Sequence, residues 1–443
     1  MSFTGHVRAH LVLGLPLIAS HIAQMAIGLT DTVMLGWYDV EALAALVLAN
    51  TFFMVLFLFG SGFAFAVMPL VASAAEQGDE TRIRRVTRMG LWASVGFGLV
   101  VLPALWFSGP LLRLLGQEPD LAAGAQDYLR VQGWGIIAAL MVMVLKSYLS
   151  ALERTRVQLI VVIVAALANV GVNWVLIFGN LGAPELGIRG AAIASLIVQL
   201  ISVGALALYG VWSFPSHALF HRLWRPDWEV LREVTRMGLQ VGLAVLAEVG
   251  LFSFTGLLVG LLGTAALAAH GIALQLASIA FMVPLGLSNA ATVRAGRAFG
   301  RGDKAALRAG AGAAFSIGLG AASLAAIVFL TLPSLLVGLY IAPGEPLRED
   351  ILDLGRQLLF MAALFQLVDA TQVIAVALLR GMQDTRAPMW IAASSYWLVG
   401  APSAWVFGVA LGLGAQGVWL GLVAGLATAA ILLTVRFRQK ARD

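Results

Sequence analysis

Three carboxylates stand in stretches otherwise fit for lipid: Asp31 in AQMAIGLTDTVMLG, Glu248 in GLAVLAEVGLFSF and Asp369 in ALFQLVDATQVIAVALL. A charge near the middle of a bilayer costs about 2.5–3.5 kcal/mol even on the lenient insertion scale. No basic residue lies near the middle of any apolar run, so salt-bridge neutralisation is not obviously on offer. The acids must then hold protons, bind a cation or face a wet cavity.

Polar companions at helical spacing support the last two. Gln24, seven residues before Asp31, shares its helix face. Asn169 and Asn173, spaced i and i+4, make a second polar stripe, and Gln366 and Gln372 flank Asp369 three residues to either side. Phe252 lies four after Glu248, where its ring could meet a cation held by that acid. For Asn169 and Asn173 a plain helix–helix clamp is an equal alternative, since amides commonly bridge membrane helices. His21 and His270 lack partners at metal spacing and are expected to pack or line a pore; Asp384, in LRGMQDTRAP, is expected to cap a helix or sit in a loop. Pro16 is a candidate bend in the first span.

The chemistry these residues suit is reversible cation capture rather than bond making. The chain has no cysteine, no HExxH and no GxSxG elbow, so no enzyme activity, resident metal or cofactor is expected. A net charge of +5 does not indicate a nucleic-acid partner, because its meaning depends on where the basic residues lie.

The elements that carry the acids follow from composition. Of 443 residues, 60% are hydrophobic and 12% charged, well below the quarter typical of soluble domains. Breaking the chain at glycine, proline and charge clusters gives twelve spans, at 11–35, 43–75, 86–108, 121–149, 157–180, 187–214, 233–262, 264–299, 305–332, 350–380, 386–411 and 415–436. With both termini cytoplasmic, all but five of the 28 lysines and arginines (Arg113, Arg130, Arg189, Arg348 and Arg356) fall on the inner side, as the positive-inside rule requires. Lys146 is counted among the inner group. The run from Leu11 has no cleavage pattern, so no signal peptide is expected. An all-α, multi-pass protein of a cytoplasmic (inner) membrane is the expectation.

The chain is also duplicated. Slid by 224 residues, Ala42–Asp79 aligns with Ala266–Asp303 without a gap: ALAA meets ALAA, Gly62 meets Gly286, and GD at 78 meets GD at 302. The halves are 1–215 and 228–443, joined by a basic, aromatic linker at 216–227. Six spans in each half insert them with the same orientation, and parallel repeats of this kind place a cavity between two lobes near mid-membrane.

PLIASHIAQMAIGLTDTVMLG, ALERTRVQLIVVIVAALANVGVNWVLIFGNLGAPELGIRGAAIAS, the segment from AEVGLFSF through GRAFG, and DATQVIAVALLRGMQDTRAP resemble the multidrug and toxic compound extrusion (MATE) family, in its NorM-like branch. The resemblance covers essentially the whole chain. It implies two six-helix lobes in a V and efflux of organic, often cationic drugs against entering Na⁺ or H⁺. Carried over by position, Glu248 and Asp369 match the acids of the family's C-lobe cation site, with Na⁺ as their only metal. Phe252 matches an aromatic beside them, and Asp31, Asn169 and Asn173 match the N-lobe aspartate and its amides. Phe365 stands where some relatives carry a tyrosine, which removes a possible oxygen ligand for sodium. The expected partners are small organic cations, the coupling ion and the lipid bilayer, with the protein a monomer. The alternative is a lipid-linked oligosaccharide flippase of the same superfamily, but such proteins show basic residues in the cavity and here the mid-span charges are acidic.

Overall fold

A computed structural model describes residues 2–442. Eleven of its helices are long and apolar enough to cross a membrane. In chain order the helices are α1 (Phe3–Tyr38), α2 (Val40–Glu76), α3 (Glu80–Trp106), the short α4 (Ser108–Leu114), α5 (Pro119–Ala151), α6 (Thr155–Phe178), α7 (Ile188–Ser213) and α8 (Trp228–Gly260). They continue with α9 (Thr264–Gly300), α10 (Lys304–Thr331), the short α11 (Pro333–Gly338), α12 (Arg348–Gly381), α13 (Arg386–Ser394), α14 (Ala401–Trp405) and α15 (Gly414–Lys440). The shortest of the eleven, α6, has 24 residues, about 36 Å of helix against a hydrocarbon core of about 30 Å.

The eleventh expected span, 386–411, is the one that differs. Its backbone is helical from Arg386 to Ala410, but α13 passes into a π-helix at Ser395–Gly400, then α14, then a second π-helix at Val406–Ala410. Two causes act together. Pro402 has no backbone N–H to give to the preceding turn. Gly417, Gly421 and Gly425, spaced by four along α15, also face this segment at backbone range: a Cβ at Gly425 would lie 2.7 Å from Gly400 Cα, and one at Gly417 would lie 2.7 Å from Gly408 N. The wide turns fit the segment against that glycine stripe.

The duplicated GD pairs have a local explanation. Gly78 (φ 70°) and Gly302 (φ 67°) follow the ends of α2 and α9 in the left-handed conformation that glycine adopts without strain. The aspartate after each glycine then caps the next helix: Asp79 accepts from Arg82 N at 2.8 Å, and Asp303 from Ala306 N at 2.9 Å.

By packing, the chain forms two compact units, one of Met1–Ile18 with Leu243–Asp443 and the other of Ala19–Gly242. These are not the sequence halves 1–215 and 228–443. Each unit takes the first part of its leading helix from the other half, and the cuts, after Ile18 in α1 and after Gly242 in α8, are related by the same 224-residue offset as the repeat. Glycines explain the exchange. In one unit a Cβ at Gly62 of α2 would lie 2.6 Å from Gly242 N of α8; in the other, a Cβ at Gly286 of α9 would lie 2.7 Å from Ile18 N of α1. Helices that touch backbone to backbone at such points bind whichever chain segment supplies the matching surface.

The linker at 216–227 also lies wholly within the second unit, where it is strapped down. Arg88 donates to the carbonyls of His221 (3.2 Å) and Arg222 (3.1 Å), and Trp92 Nε1 donates to Leu223 O (2.8 Å). The Tyr148 hydroxyl lies 2.7 Å from His217 Nδ1, and Phe214 stacks on the same imidazole. Arg85 pairs with Asp227 and Glu229, and Arg82 with Glu233. In the centre of each unit sits one strongly buried helix, α5 against α2, α3 and α7, and α12 against α9, α10 and α15.

Candidate functional site

The sequence-derived residues fall into two clusters, one in each unit. In the second unit, Asp31 is 5% exposed on α1. Asn173 Nδ2 of α6 donates to its Oδ1, and Ser195 Oγ of α7 donates to its Oδ2 at 3.0 Å. Asn169, one turn before Asn173, accepts through its Oδ1 from Asn173 Nδ2 at 3.2 Å. Asn173 and Asn169 are fully buried, and Asn173 Oδ1 and Asn169 Nδ2 have no partner. The cluster thus keeps one acceptor and one donor in reserve. Tyr128 of α5 borders Ser195 and Asp31.

Gln24 does not join this cluster. Its Oε1 accepts from Lys146 Nζ of α5 at 2.8 Å. Gln24 is far from either end of α1, so the ammonium of Lys146, assigned from sequence to the inner side, reaches along its stem to mid-helix level. Long side chains reposition their charge in this way, and the residue's sequence position alone does not reveal it.

In the first unit, Asp369 is 4% exposed on α12 and Glu248 of α8 is half-buried. The two carboxylates are near enough for their charges to repel, and Tyr396 lies within reach of both fields. Among the described residues neither acid has a hydrogen-bond donor or a cation. Gln366 Nε2 donates to Ala277 O at 2.9 Å, and Gln372 Nε2 donates to the Tyr396 hydroxyl. The Oε1 atoms of both glutamines are buried without a partner. Two carboxylates and two orphaned amide oxygens share one face of α12 and its neighbours. That donor set is all oxygen and suits a proton or a hard monovalent cation rather than a transition metal. No group of three or more His, Cys, Asp and Glu able to hold a metal occurs among the described residues.

Phe252 packs edge-on against Phe365 (ring centroids 5.9 Å apart), and Phe365 against Trp419 (5.8 Å). Trp419 Nε1 in turn donates to His270 Nδ1 at 3.0 Å, so His270 is a packed residue. Phe365 brings no oxygen, but the Tyr396 hydroxyl enters the same neighbourhood from the π-helical turn. Asp384 sits in the loop between α12 and α13, the second of its two expected roles, and caps no helix by its side chain: it is 8% exposed and pairs with Arg436 (3.0 Å) and Lys440 (3.3 Å) of α15.

Ser195, Tyr128, Tyr396 and Lys146 were not among the sequence-derived candidates. Ser195 lies in GIRGAAIAS, a run singled out for resemblance only, and a serine in a small-residue stripe is indistinguishable from a packing residue. Tyr396 could be found as one of only 6 tyrosines in the chain, placed mid-span.

The MatE family model matches residues 16–175 and 241–406, one match in each repeat. The chain is 45% identical over 439 residues to the "Probable multidrug resistance protein NorM" of Rhizobium meliloti (strain 1021), covering 98% of this chain and 94% of the relative. It is 44% identical over 438 residues to the protein of that name from Agrobacterium fabrum (strain C58 / ATCC 33970), at the same two coverages. Among solved structures, the "Outward-facing conformation of a multidrug resistance MATE family transporter of the MOP superfamily" superposes with a TM-score of 0.88 at 19% identity, covering 99% of this chain and 96% of that one. The "Crystal structure of MATE in complex with MaL6" gives 0.89 at 19% identity and the same coverages.

Proposed function

The chain belongs to the MatE family and is a multidrug efflux transporter, and we propose that it works by antiport, organic cations leaving as Na⁺ or H⁺ enters. The observation that carries this reading is the Glu248–Asp369 pair, two carboxylates within electrostatic reach of each other and without a donor or cation of their own among the described residues. A coupling ion arriving there relieves their repulsion and takes up the orphaned oxygens of Gln366 and Gln372. When it leaves, the repulsion returns. The pair therefore has different preferred surroundings in its loaded and empty states, which is the differential affinity that any ligand-driven conformational change requires.

One monovalent ion entering down a 100 mV potential supplies about 2.3 kcal/mol, enough to hold roughly a 50-fold gradient of an uncharged drug; a monovalent drug cation leaving in exchange costs the same amount, so its gradient comes from the concentration difference of the coupling ion. Asp31, with Asn169 and Asn173, is a second site of the same kind, in which fixed amide and hydroxyl donors occupy the carboxylate. The flippase alternative is not favoured: the relatives carry multidrug-resistance names, and the central acids call for cationic cargo. We place the protein in the cytoplasmic membrane with both termini inside, working as a monomer.

Ethidium efflux from proteoliposomes under a pure sodium gradient, against a pure pH gradient, tests the coupling. Antiport requires efflux under one of the two; efflux under neither, with intact protein, removes the proposal.

A further inference from the structure

Lys146 of α5 is a positive charge that neither acid cluster uses. Its ammonium donates to Gln24 Oε1 of α1 at 2.8 Å. Gln24 lies roughly 20 Å along the helix from Tyr38, the nearer end of α1, at about 1.5 Å per residue. The charge is therefore held deep between two membrane-spanning helices, where an ionised group is costly and marks a substrate or ion path. Among the described residues Lys146 forms no ion pair, and its ammonium has no hydrogen-bond partner besides Gln24.

The surroundings fix this pair and leave donors over. Gln158 Nε2 of α6 donates to the Lys146 carbonyl at 2.9 Å and to Ser150 Oγ at 2.8 Å, which pins this turn of α5. An ammonium can only donate, so the amide of Gln24 must turn its oxygen to Lys146 and keep its NH2 group as a donor. Gln24 takes one of the three ammonium N–H bonds and leaves the rest. Lys146 is half-buried and Gln24 exposed, so these donors are accessible. Gly28, one turn beyond Gln24, has nothing within 4 Å of where a Cβ would go. A clamp between α1 and α5 needs only a neutral amide on each side. A full charge with spare donors and room beside them calls for a negative partner from outside the chain.

We propose that Lys146 and Gln24 form a subsite for a carboxylate carried by the cargo. The ammonium and the amide NH2 donate to its oxygens, in charge-assisted hydrogen bonds. Bringing the two charges together relieves the desolvation that each bears alone inside the membrane. Lys146 is then a specificity-determining residue: it admits molecules that carry a carboxylate as well as a cationic centre, where the acids alone select for positive charge. The inference rests on multidrug efflux and not on the antiport reading, since neither Glu248 nor Asp369 takes part.

The test uses rhodamine B, which has a cationic ring system and a free carboxylate, and its ethyl ester, which has the cation alone. Binding of each dye to the full-length protein in detergent is read by fluorescence polarisation against empty micelles. No ion gradient is involved, so the result is separate from that of the coupling assay. Wild-type protein should bind rhodamine B at least as tightly as the ester. Lys146→Gln, which keeps an amide opposite Gln24 but removes the charge, should weaken rhodamine B by about tenfold, the scale of one hydrogen bond to a charged group, and leave the ester unchanged. Lys146→Arg should retain rhodamine B binding. An equal loss for both dyes in Lys146→Gln, the mark of a merely structural lysine, overturns the proposal, and so does no loss for either. A wild-type protein that binds only the ester overturns it without any variant.

Discussion

Asn173 donates its amide to Asp31 across 142 residues of chain, joining α6 to α1. With Ser195 on the other oxygen, each carboxylate oxygen of Asp31 holds one protein donor. Glu248 and Asp369 hold none. Asn173→Ala should therefore lower stability by about 1–3 kcal/mol, the cost of leaving a buried polar group unmet, seen as a lower melting temperature in detergent. An unchanged melting temperature would show that the bond is not made in the folded protein.

The bare pair in the other unit behaves in the opposite sense. Glu248→Gln and Asp369→Asn remove a repulsion and break no hydrogen bond, so both variants should be folded and melt no lower than the parent. Their ion-driven ethidium efflux should nevertheless fall to background. Full efflux by Glu248→Gln would end the assignment of this pair as the coupling site.

The strapped linker should loosen in acid in two stages. Burial lowers the imidazole of His217 below its ordinary value of 6.5, and the Arg85 guanidinium holds the Asp227 carboxyl below its ordinary 3.8. A depressed group stabilises the fold above its unfolded value and loses that contribution as pH falls through its folded value. Docking should thus be full above about pH 6.5 and weaken first as His217 charges, then again below about pH 4 as Asp227 protonates. Limited trypsin cleavage at Arg222 and Arg225, normalised at each pH to cleavage of an unstructured arginine peptide because trypsin's own histidine titrates in this range, reads the first stage, and hydrogen exchange of residues 216–227 reads the second. His217→Gln should remove the first stage only; a cleavage rate flat across it would count against the imidazole.

Gly62 and Gly286 should be intolerant of side chains for the same reason in different units. A leucine at either forces apart backbones now in direct contact, and overpacking of this kind costs about 1–3 kcal/mol. Gly28 and Gly96, with open space where a Cβ would go, should accept alanine with no loss. Equal sensitivity at all four positions, measured by yield of monodisperse protein, would refute the backbone-contact account.

The helical class, the duplication and the three acids were legible in the chain because each leaves a mark along it: apolar runs, a fixed offset, and charge where charge is costly. Asn173 could be paired with Asp31 only by resemblance, since periodicity places residues on faces and does not say which faces meet. Gln24 shows the limit: it has the right spacing to join Asp31, yet Lys146 takes it. The π-turns around Tyr396 were hidden because hydropathy reads the segment 386–411 like any other span. The division by packing was hidden for a related reason. Repeats report how the gene was doubled, and packing is free to divide a helix wherever glycines invite another backbone in.

That division has a consequence for how the protein is made. The residues up to Ile18 leave the ribosome well before the partners beyond Leu243 with which they belong, so they must wait in the bilayer until the helices between have been translated. The earlier-synthesised unit likewise needs residues up to Gly242, past the linker, before it can close. Two fragments expressed separately, cut at the linker, would each be born missing a strip of their own wall, and would regain it only by finding each other.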